Sequence, residues 1–156
     1  MQTFTPTDNY NLPKVLAQFD TLTEALDYAA KGETGFNFYS SKCELQSSIS
    51  YKELSNKAKK LSFNLMGKGI VKGDRVALLA ITSPDFLISF FACQYCGAIP
   101  VPLPPPLAFG RKEAYIEQTI RQLTSSGAST FLVSSEYLSF IGSSIKIQQR
   151  LYPLAK

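Results

Sequence analysis

Lys72-Gly73-Asp74-Arg75-Val76-Ala77-Leu78-Leu79, followed by Ser83-Pro84-Asp85-Phe86, Phe90-Phe91-Ala92-Cys93-Gln94-Tyr95-Cys96-Gly97-Ala98 and Pro100-Val101-Pro102-Leu103-Pro104-Pro105-Pro106, sets the fold class of this chain. Gly73-Asp74 is turn chemistry. Arg75 to Ile81 is a nearly continuous apolar run, as in a strand covered on both faces. Ser83 can cap a helix, and Pro84 then stands at its first position, where a missing N–H costs nothing. That helix is expected over Pro84 to Cys96. It is apolar on most faces and so should be packed between sheet and other helices. Gly97 caps it, and Ala98–Leu103 forms a second strand. Pro100 and Pro102 each remove a ladder donor, which makes this strand an edge or an irregular one. Pro104-Pro105-Pro106 is stiff and extended and ends the pairing.

Upstream, residues 1–19 are polar, with prolines at 6 and 13, and read as an irregular leading arm. Residues 20–156 read as one α/β subdomain. Thr21-Leu22-Thr23-Glu24 fits a capping box, with Thr21 capping and Glu24 reaching back. Leu22, Ala25, Leu26 and Ala29 follow at helical spacing, and Gly32 is expected to end the helix. Gly35 to Tyr39 alternates as a strand, Ser40-Ser41-Lys42 supplies a turn, and Leu45 to Ile49 completes a hairpin. Ser50-Tyr51-Lys52-Glu53 is a second capping box. Behind it Tyr51, Leu54, Ala58, Leu61 and Leu65 share one helical face with lysines opposite, and Gly67 and Gly69 stop the helix.

Downstream, Arg111 to Ser126 is amphipathic through Tyr115, Ile116, Ile120 and Leu123, and Gly127 closes it. Thr130 to Val133 is a short buried strand, and Ser135 to Gln149 a weaker helical segment. Strands alternating with helices imply right-handed crossovers. The expected class is α/β: a mainly parallel sheet with flanking helices plus an N-terminal β-hairpin.

At 156 residues the chain suits one domain that buries roughly 68–70% of its unfolded surface. Apolar residues make up 45% and charged residues 18%, as in an ordinary soluble α/β protein. Net charge is +4, and Lys52, Lys57, Lys59, Lys60, Lys68, Lys72 and Arg75 lie mostly on one expected helix and its exit loop. They read as a solvated face, the functional alternative being a nucleic-acid or anionic-lipid footprint. No aromatic residues are interleaved as stacking platforms, so no nucleic-acid partner is expected. Met1 to Tyr10 lacks the apolar core of a signal peptide. The apolar run Phe86 to Leu103 is interrupted by Gln94, Gly97, Pro100 and Pro102, so no membrane span is expected and the location is read as cytoplasmic.

Chemistry is sparse. Cys43, Cys93 and Cys96 are too few for a disulfide scaffold. Cys93-x-x-Cys96 has redox spacing but lies at the C-terminal end of an apolar helix, where the dipole disfavours a thiolate, so both read as structural. With no histidine and one CxxC, no zinc site is expected. Gly67, Gly69 and Gly73 lie between helix and strand, the wrong polarity for a phosphate loop, and read as turns. The loop Ile81-Thr82-Ser83-Pro84-Asp85 has the right polarity, but it lacks glycine and Asp85 would repel an anion. Capping is its first reading and ligand lining its second. Glu113 and Glu117 form a solvated face with Arg121. No catalytic, cofactor-binding or metal-ligating residue is assigned.

These residues resemble the N-terminal region of fatty acyl-AMP ligases, within the adenylate-forming superfamily. The resemblance extends to Thr21-Leu22, Glu24 to Ala30, Phe36-Asn37-Phe38-Tyr39, Ile49 to Leu54, the helix over 111–126 and Phe131-Leu132-Val133-Ser134-Ser135. Gly73-Asp74-Arg75-Val76-Ala77 marks only the broad superfamily. Val101 to Pro106 after Phe91 to Gly97 favours the fatty acyl branch. The resemblance implies that a fatty acid carboxylate attacks the α-phosphate of ATP, with magnesium, and that the acyl group passes to the phosphopantetheine thiol of an acyl carrier protein. Relatives that use coenzyme A share the fold. It also implies that the phosphate loop, the adenine and ribose ligands and the catalytic lysine lie beyond residue 156. The segment is therefore expected to be scaffold, inactive alone and binding no cofactor itself, with an exposed sheet edge open to self-association. Two alternatives remain: a non-enzymatic interaction module that keeps the scaffold, and a small flavodoxin-like nucleotide binder.

Overall fold

The computed structural model describes residues 12, 13, 15, 16, 18–106, 111–133, 137 and 150–153, the last four by backbone alone. The leading arm over 1–19 and the helix over Ser135 to Gln149 fall largely outside those residues. The elements in order are α1 (Leu22–Ala29), β1 (Gly35–Tyr39), β2 (Leu45–Ser50), α2 (Tyr51–Gly67), β3 (Arg75–Leu79), α3 (Pro84–Tyr95), β4 (Ile99–Leu103), α4 (Lys112–Ser126), β5 (Thr130–Val133) and β6 (Arg150–Pro153). They form two compact units: Met1–Gly69 with Thr82–Cys96, and Ile70–Ile81 with Gly97–Lys156.

The first unit joins α1, the β1–β2 hairpin, α2 and α3. Thr21 Oγ1 accepts the Glu24 N–H at 3.2 Å, while the Glu24 carboxylate accepts the Asp20 N–H at 3.1 Å. The box thus closes one residue before the cap. Helix α1 ends at Ala29, earlier than the glycine expected to stop it. Lys31 and Gly32 donate to the carbonyls of Tyr28 and Ala29, and these tightened bonds end the helix without a left-handed cap. Gly32 instead gives close approach, since a Cβ there would meet Leu12 Cδ1 at 2.9 Å.

The hairpin pairs Phe36 with Ile49 and Phe38 with Ser47, and its ladder shifts between Phe38 and Tyr39. Ser40 Oγ accepts the N–H groups of Lys42 and Glu44, both at 3.2 Å, and Cys43 takes φ 62° in the turn. Leu26, Phe38, Ile49 and Leu54 form a buried core, with Phe36, Tyr51, Leu87, Ile88, Phe91 and Tyr95 packed around it.

Ser50 Oγ caps α2 by accepting the Glu53 N–H at 3.0 Å. Leu54, Ala58 and Leu65 are buried on the expected face, but Ser55 and Ser62 are buried with them. Ser62 is tolerated there because its hydroxyl donates to the Lys59 carbonyl at 2.7 Å. Ser83 Oγ caps α3 through the Phe86 N–H at 3.3 Å, with Pro84 in the first turn as expected.

Helix α3 is covered on most faces as expected, with Asp85 its one exposed residue, but the depth of burial varies along it. Only Ser89, Ala92 and Cys93 of this helix are buried, and Phe86, Leu87, Ile88, Phe90 and Phe91 are half-buried. The reason is size. Small residues on both helices (Ser55, Ala58 and Ser62 on α2; Ser89, Ala92 and Cys93 on α3) line the packed α2–α3 pair. The rings splay beside that stripe, with Phe90 centred 6.3 Å from Phe86 and 5.6 Å from Phe91.

The second unit carries a four-stranded sheet in the order β4-β3-β5-β6, parallel throughout. Gly73 and Gly97 take φ 91° and 73°, and the Gly73 N–H donates to the Gly97 carbonyl at 2.9 Å. A Cβ on Gly97 would meet Lys72 Cγ at 2.9 Å, so both space and backbone demand glycine. Strand β4 is an edge, as the prolines require. Its Ile99 N–H donates to the Asp74 carbonyl and its Leu103 carbonyl accepts the Ala80 N–H, both at 2.8 Å. The alternate residues Pro100 and Pro102 therefore turn their nitrogens to the open side, where no ladder bond is lost and none can be added.

Val76 to Leu79 and all of β5 are buried, as a strand with neighbours on both sides should be. Helix α4 packs Tyr115 and Leu123 onto a core of Ala77, Leu79, Leu103, Phe131 and Val133. Gly127 closes it at φ 64°. Strand β6 was not expected.

Candidate functional site

The strand order supplies the first clue to a site. Strand β4 flanks β3 on one side, while β5 and then β6 lie on the other. The connections leaving β3 and β5 therefore run in opposite directions across the sheet. Open α/β sheets take ligands at the carboxyl ends of the strands flanking such a switch. Here those ends are Leu79 to Ile81 after β3 and the residues following Val133 after β5, of which 134–136 lie outside the described residues. Gly69 and Gly73 precede β3 and so stand at its opposite end, with φ of 88° and 91°. Both serve turns.

The loop Ile81 to Asp85 leads from β3 into α3. Ser83 uses its hydroxyl for the cap, and Thr82 and Asp85 are exposed. An exposed carboxylate in the first turn, with no glycine beside it, does not fit a triphosphate. Among the described residues no three His, Cys, Asp or Glu side chains gather as a metal-binding group. The donor set described here therefore does not fit ATP with magnesium, and no chemical step is derived through them.

The other residues considered from the sequence take structural positions. Cys93 and Cys96 are buried, and Cys96 Sγ donates to the Cys93 carbonyl at 3.4 Å. Burial, with the neighbouring Cys96 thiol adding to it, pushes the Cys93 thiol up to about 12. A thiol so placed is no nucleophile. Arg121 donates to Glu117 at 2.7 Å on an exposed helix face.

One constellation was not foreseen. Asp27 Oδ1 accepts from Ser55 Oγ at 2.8 Å, from Tyr95 OH at 2.5 Å and from Lys59 Nζ at 2.7 Å. Lys59 Nζ also stands 5.2 Å from the Tyr95 ring centroid. The four residues come from α1, α2 and α3 and tie those helices through one carboxylate oxygen. Burial alone would raise the Asp27 carboxyl, but the bonds from Lys59, Tyr95 and Ser55 and the Lys59 charge outweigh it and hold it below its ordinary value. Burial first, then the bond to Asp27, pushes the Tyr95 phenol up to about 12.

Two readings of α2 change as well. Lys59 does not belong to a purely solvated face, because Asp27 holds it. Nor is the basic face free of aromatics, since Phe63 is 69% exposed among its lysines. The helical period could have found it, since Phe63 lies nine residues from Leu54 and so on the opposite side of the helix.

An open parallel sheet with a switch between β3 and β5 defines a class of α/β proteins that take ligands at the carboxyl edge. Within that class, residues 27–151 match the family described as AMP-binding enzyme. The chain belongs to this family. A protein of Caulobacter vibrioides that carries an acyl-CoA synthetase name is 48% identical over 117 residues, 75% of this chain and 20% of that protein. The medium-chain-fatty-acid–[acyl-carrier-protein] ligase JamA of Moorena producens is 30% identical over 92 residues, 57% of this chain and 15% of that one. A solved structure from a study of fatty acyl-adenylate ligases of E. coli and L. pneumophila superposes with a TM-score of 0.83 at 34% identity, covering 90% of this chain and 26% of that one. The chain thus spans 15–20% of the length of these two relatives.

Proposed function

We propose that this chain is the N-terminal segment of a long-chain fatty acid–AMP ligase, which activates a fatty acid with ATP and magnesium and passes the acyl group to an acyl carrier protein. The observation that carries the reading is the fatty acyl-adenylate ligase fold at 34% identity over 90% of the chain. Within that enzyme the segment is scaffold, without activity alone, because the described residues offer the chemistry no nucleophile, base or phosphate cradle. The reaction must stabilise charge at phosphorus and position two anions, and those groups belong to other polypeptide. The two named relatives differ in acyl acceptor. The carrier protein is preferred here on the fatty acyl-AMP ligase resemblance and on JamA. A place in bacterial lipid or polyketide biosynthesis and a cytoplasmic location belong to the same reading. No described helix is long and apolar enough to cross a membrane.

ATP–pyrophosphate exchange with fatty acids tests the reading. The 156-residue chain should give no exchange above a blank, and the full-length gene product should give exchange and acylate a holo carrier protein rather than coenzyme A. Exchange by the short chain alone overturns the scaffold assignment. Self-association of the short chain is part of the proposal. The prolines of β4 blunt one sheet edge, the half-buried rings of α3 are among the apolar surfaces that the described residues offer, and concentration-dependent sedimentation is the measurement.

A further inference from the structure

Helix α2 presents a stripe to solvent that the fold does not use. Lys52, Asn56, Lys60 and Phe63 follow one another at spacings of four, four and three residues, hence on one face, and all are exposed. Phe63 is 69% exposed and Met66, beside it, 42%. The other α2 cations nearby are engaged: Lys57 pairs with Glu53 and Lys59 with Asp27, both at 2.7 Å. No acidic residue stands in the stripe itself. From Lys52 to Phe63 it is about 16 Å long, at 1.5 Å rise per residue, and one helix wide.

We propose that this stripe docks an acidic amphipathic helix of the acyl carrier protein, Lys52 and Lys60 meeting its carboxylates and Phe63 packing against an apolar side chain between them. The inference rests on the carrier-protein reading above. Charge and shape select the occupant. Two cations two turns apart with one aromatic anchor match a partner helix with carboxylates at the same period, and a large exposed ring beside cations is typical of an interface anchor. A membrane surface would need a broad apolar face, but the apolar face of α2, through Leu54, Ala58 and Leu65, is buried in its own unit. A nucleic acid would need a series of stacking rings, and the stripe carries one.

The test is fluorescence anisotropy of labelled holo acyl carrier protein titrated with the 156-residue chain. Binding should saturate at low ionic strength and be lost near about 0.5 M salt. Lys52→Glu/Lys60→Glu and Phe63→Ala should each weaken it by about tenfold or more. Lys42→Glu, on the hairpin turn, should leave it unchanged. Vesicles containing anionic phospholipid should not compete. Lys52→Gln/Lys60→Gln replaces the reversal if circular dichroism shows that variant unfolded. Variants that bind like the parent, absence of saturable binding, or preference for the vesicles each overturn the inference. Acylation of the carrier by the full-length gene product is read separately. Acylation without stripe-dependent binding discards the docking site and leaves the ligase reading intact. Failure to form an acyl-adenylate at all discards the ligase reading, and the docking site falls with it.

Discussion

Replacing Asp27 removes the acceptor that α2 and α3 share with α1. Its Oδ1 takes Ser55 at 2.8 Å, Lys59 at 2.7 Å and Tyr95 at 2.5 Å. The side chains of Lys59 and Asp27 are 43% and 41% exposed, so their ion pair contributes about 0–1 kcal/mol. Hydrogen bonds to a charged acceptor contribute about 1.5–3 kcal/mol each when sheltered, and partial exposure reduces both hydroxyl bonds well below that. Asp27→Ala should therefore destabilise the chain by about 2 kcal/mol, and Asp27→Asn, which keeps an oxygen in place, by about 1 kcal/mol. Urea denaturation at pH 7 measures both. A double-mutant cycle with Tyr95→Phe should give a coupling of at least about 0.5 kcal/mol.

The pH dependence carries a definite sign. Because the fold lowers the Asp27 pKa, its contribution is full above the unfolded value of about 3.9 and is lost as pH falls through the folded value. The gap between parent and Asp27→Asn should accordingly close below about pH 4. A gap smaller than about 0.3 kcal/mol at pH 7, or one that persists unchanged into acid, refutes the node as a fastening between helices.

Gly35→Ala should destabilise by about 1–3 kcal/mol, because the added Cβ would lie 2.2 Å from the Ile49 carbonyl oxygen and 2.7 Å from Ser50 Cα, backbone that cannot yield. Denaturation equal to the parent's would show that the strands separate at little cost. Native chain should offer one of its three thiols, exposed Cys43, to Ellman's reagent, and all three in denaturant. Fast reaction of a second thiol in the native state would contradict the burial of Cys93 and Cys96. For Tyr95 the folded value of about 12 exceeds the usual 10, so its contribution holds below pH 10 and is lost as pH rises towards 12. Tyr95→Phe should delete a component near pH 12 from the phenolate absorbance titration, and loss of a component near pH 10 instead would count against the burial of Tyr95 and its bond to Asp27.

The alternation of strand and helix, the serine and threonine caps and the edge character of β4 were legible because each is a local rule. Ser50 and Ser83 accept the N–H three residues on whatever the rest of the chain does. What escaped depends on contacts distant in sequence. Gly35 reads as the start of a strand, yet its need for glycine comes from Ile49 and Ser50 across the hairpin. Gly32 reads as a helix stop, yet it serves a contact with Leu12. Strand β6 has four residues and ends in proline, too short for a period to emerge, and its pairing with β5 defines it. Which residues of α3 are most deeply buried was not legible, because hydropathy counts apolar atoms and not their size. Ser89, Ala92 and Cys93 take the buried stripe and leave larger residues half exposed.

The candidate site was less legible still, for a physical reason that the topology makes plain. A switch-point crevice is defined by strand order, and strand order is a property of pairing between segments some fifty residues apart, such as β3 with β5. The sequence around Ile81 to Asp85 shows only that a strand passes into a capped helix. The sheet then adds that β3 is interior, that its carboxyl end abuts that of β5, and that no glycine or cation stands in the described loop to receive a phosphate. Ile81 and Val101 pack against the core beneath them. Polarising a phosphoryl group needs donors aimed at developing charge, and among the described residues Ser83 spends its hydroxyl on the cap while Ala80 and Ile81 spend their N–H groups on the carbonyls of Leu103 and Leu79. That division fits the supporting role proposed for this segment. It also explains why the fatty acyl resemblance rests on packing and proline residues rather than on any group that could react.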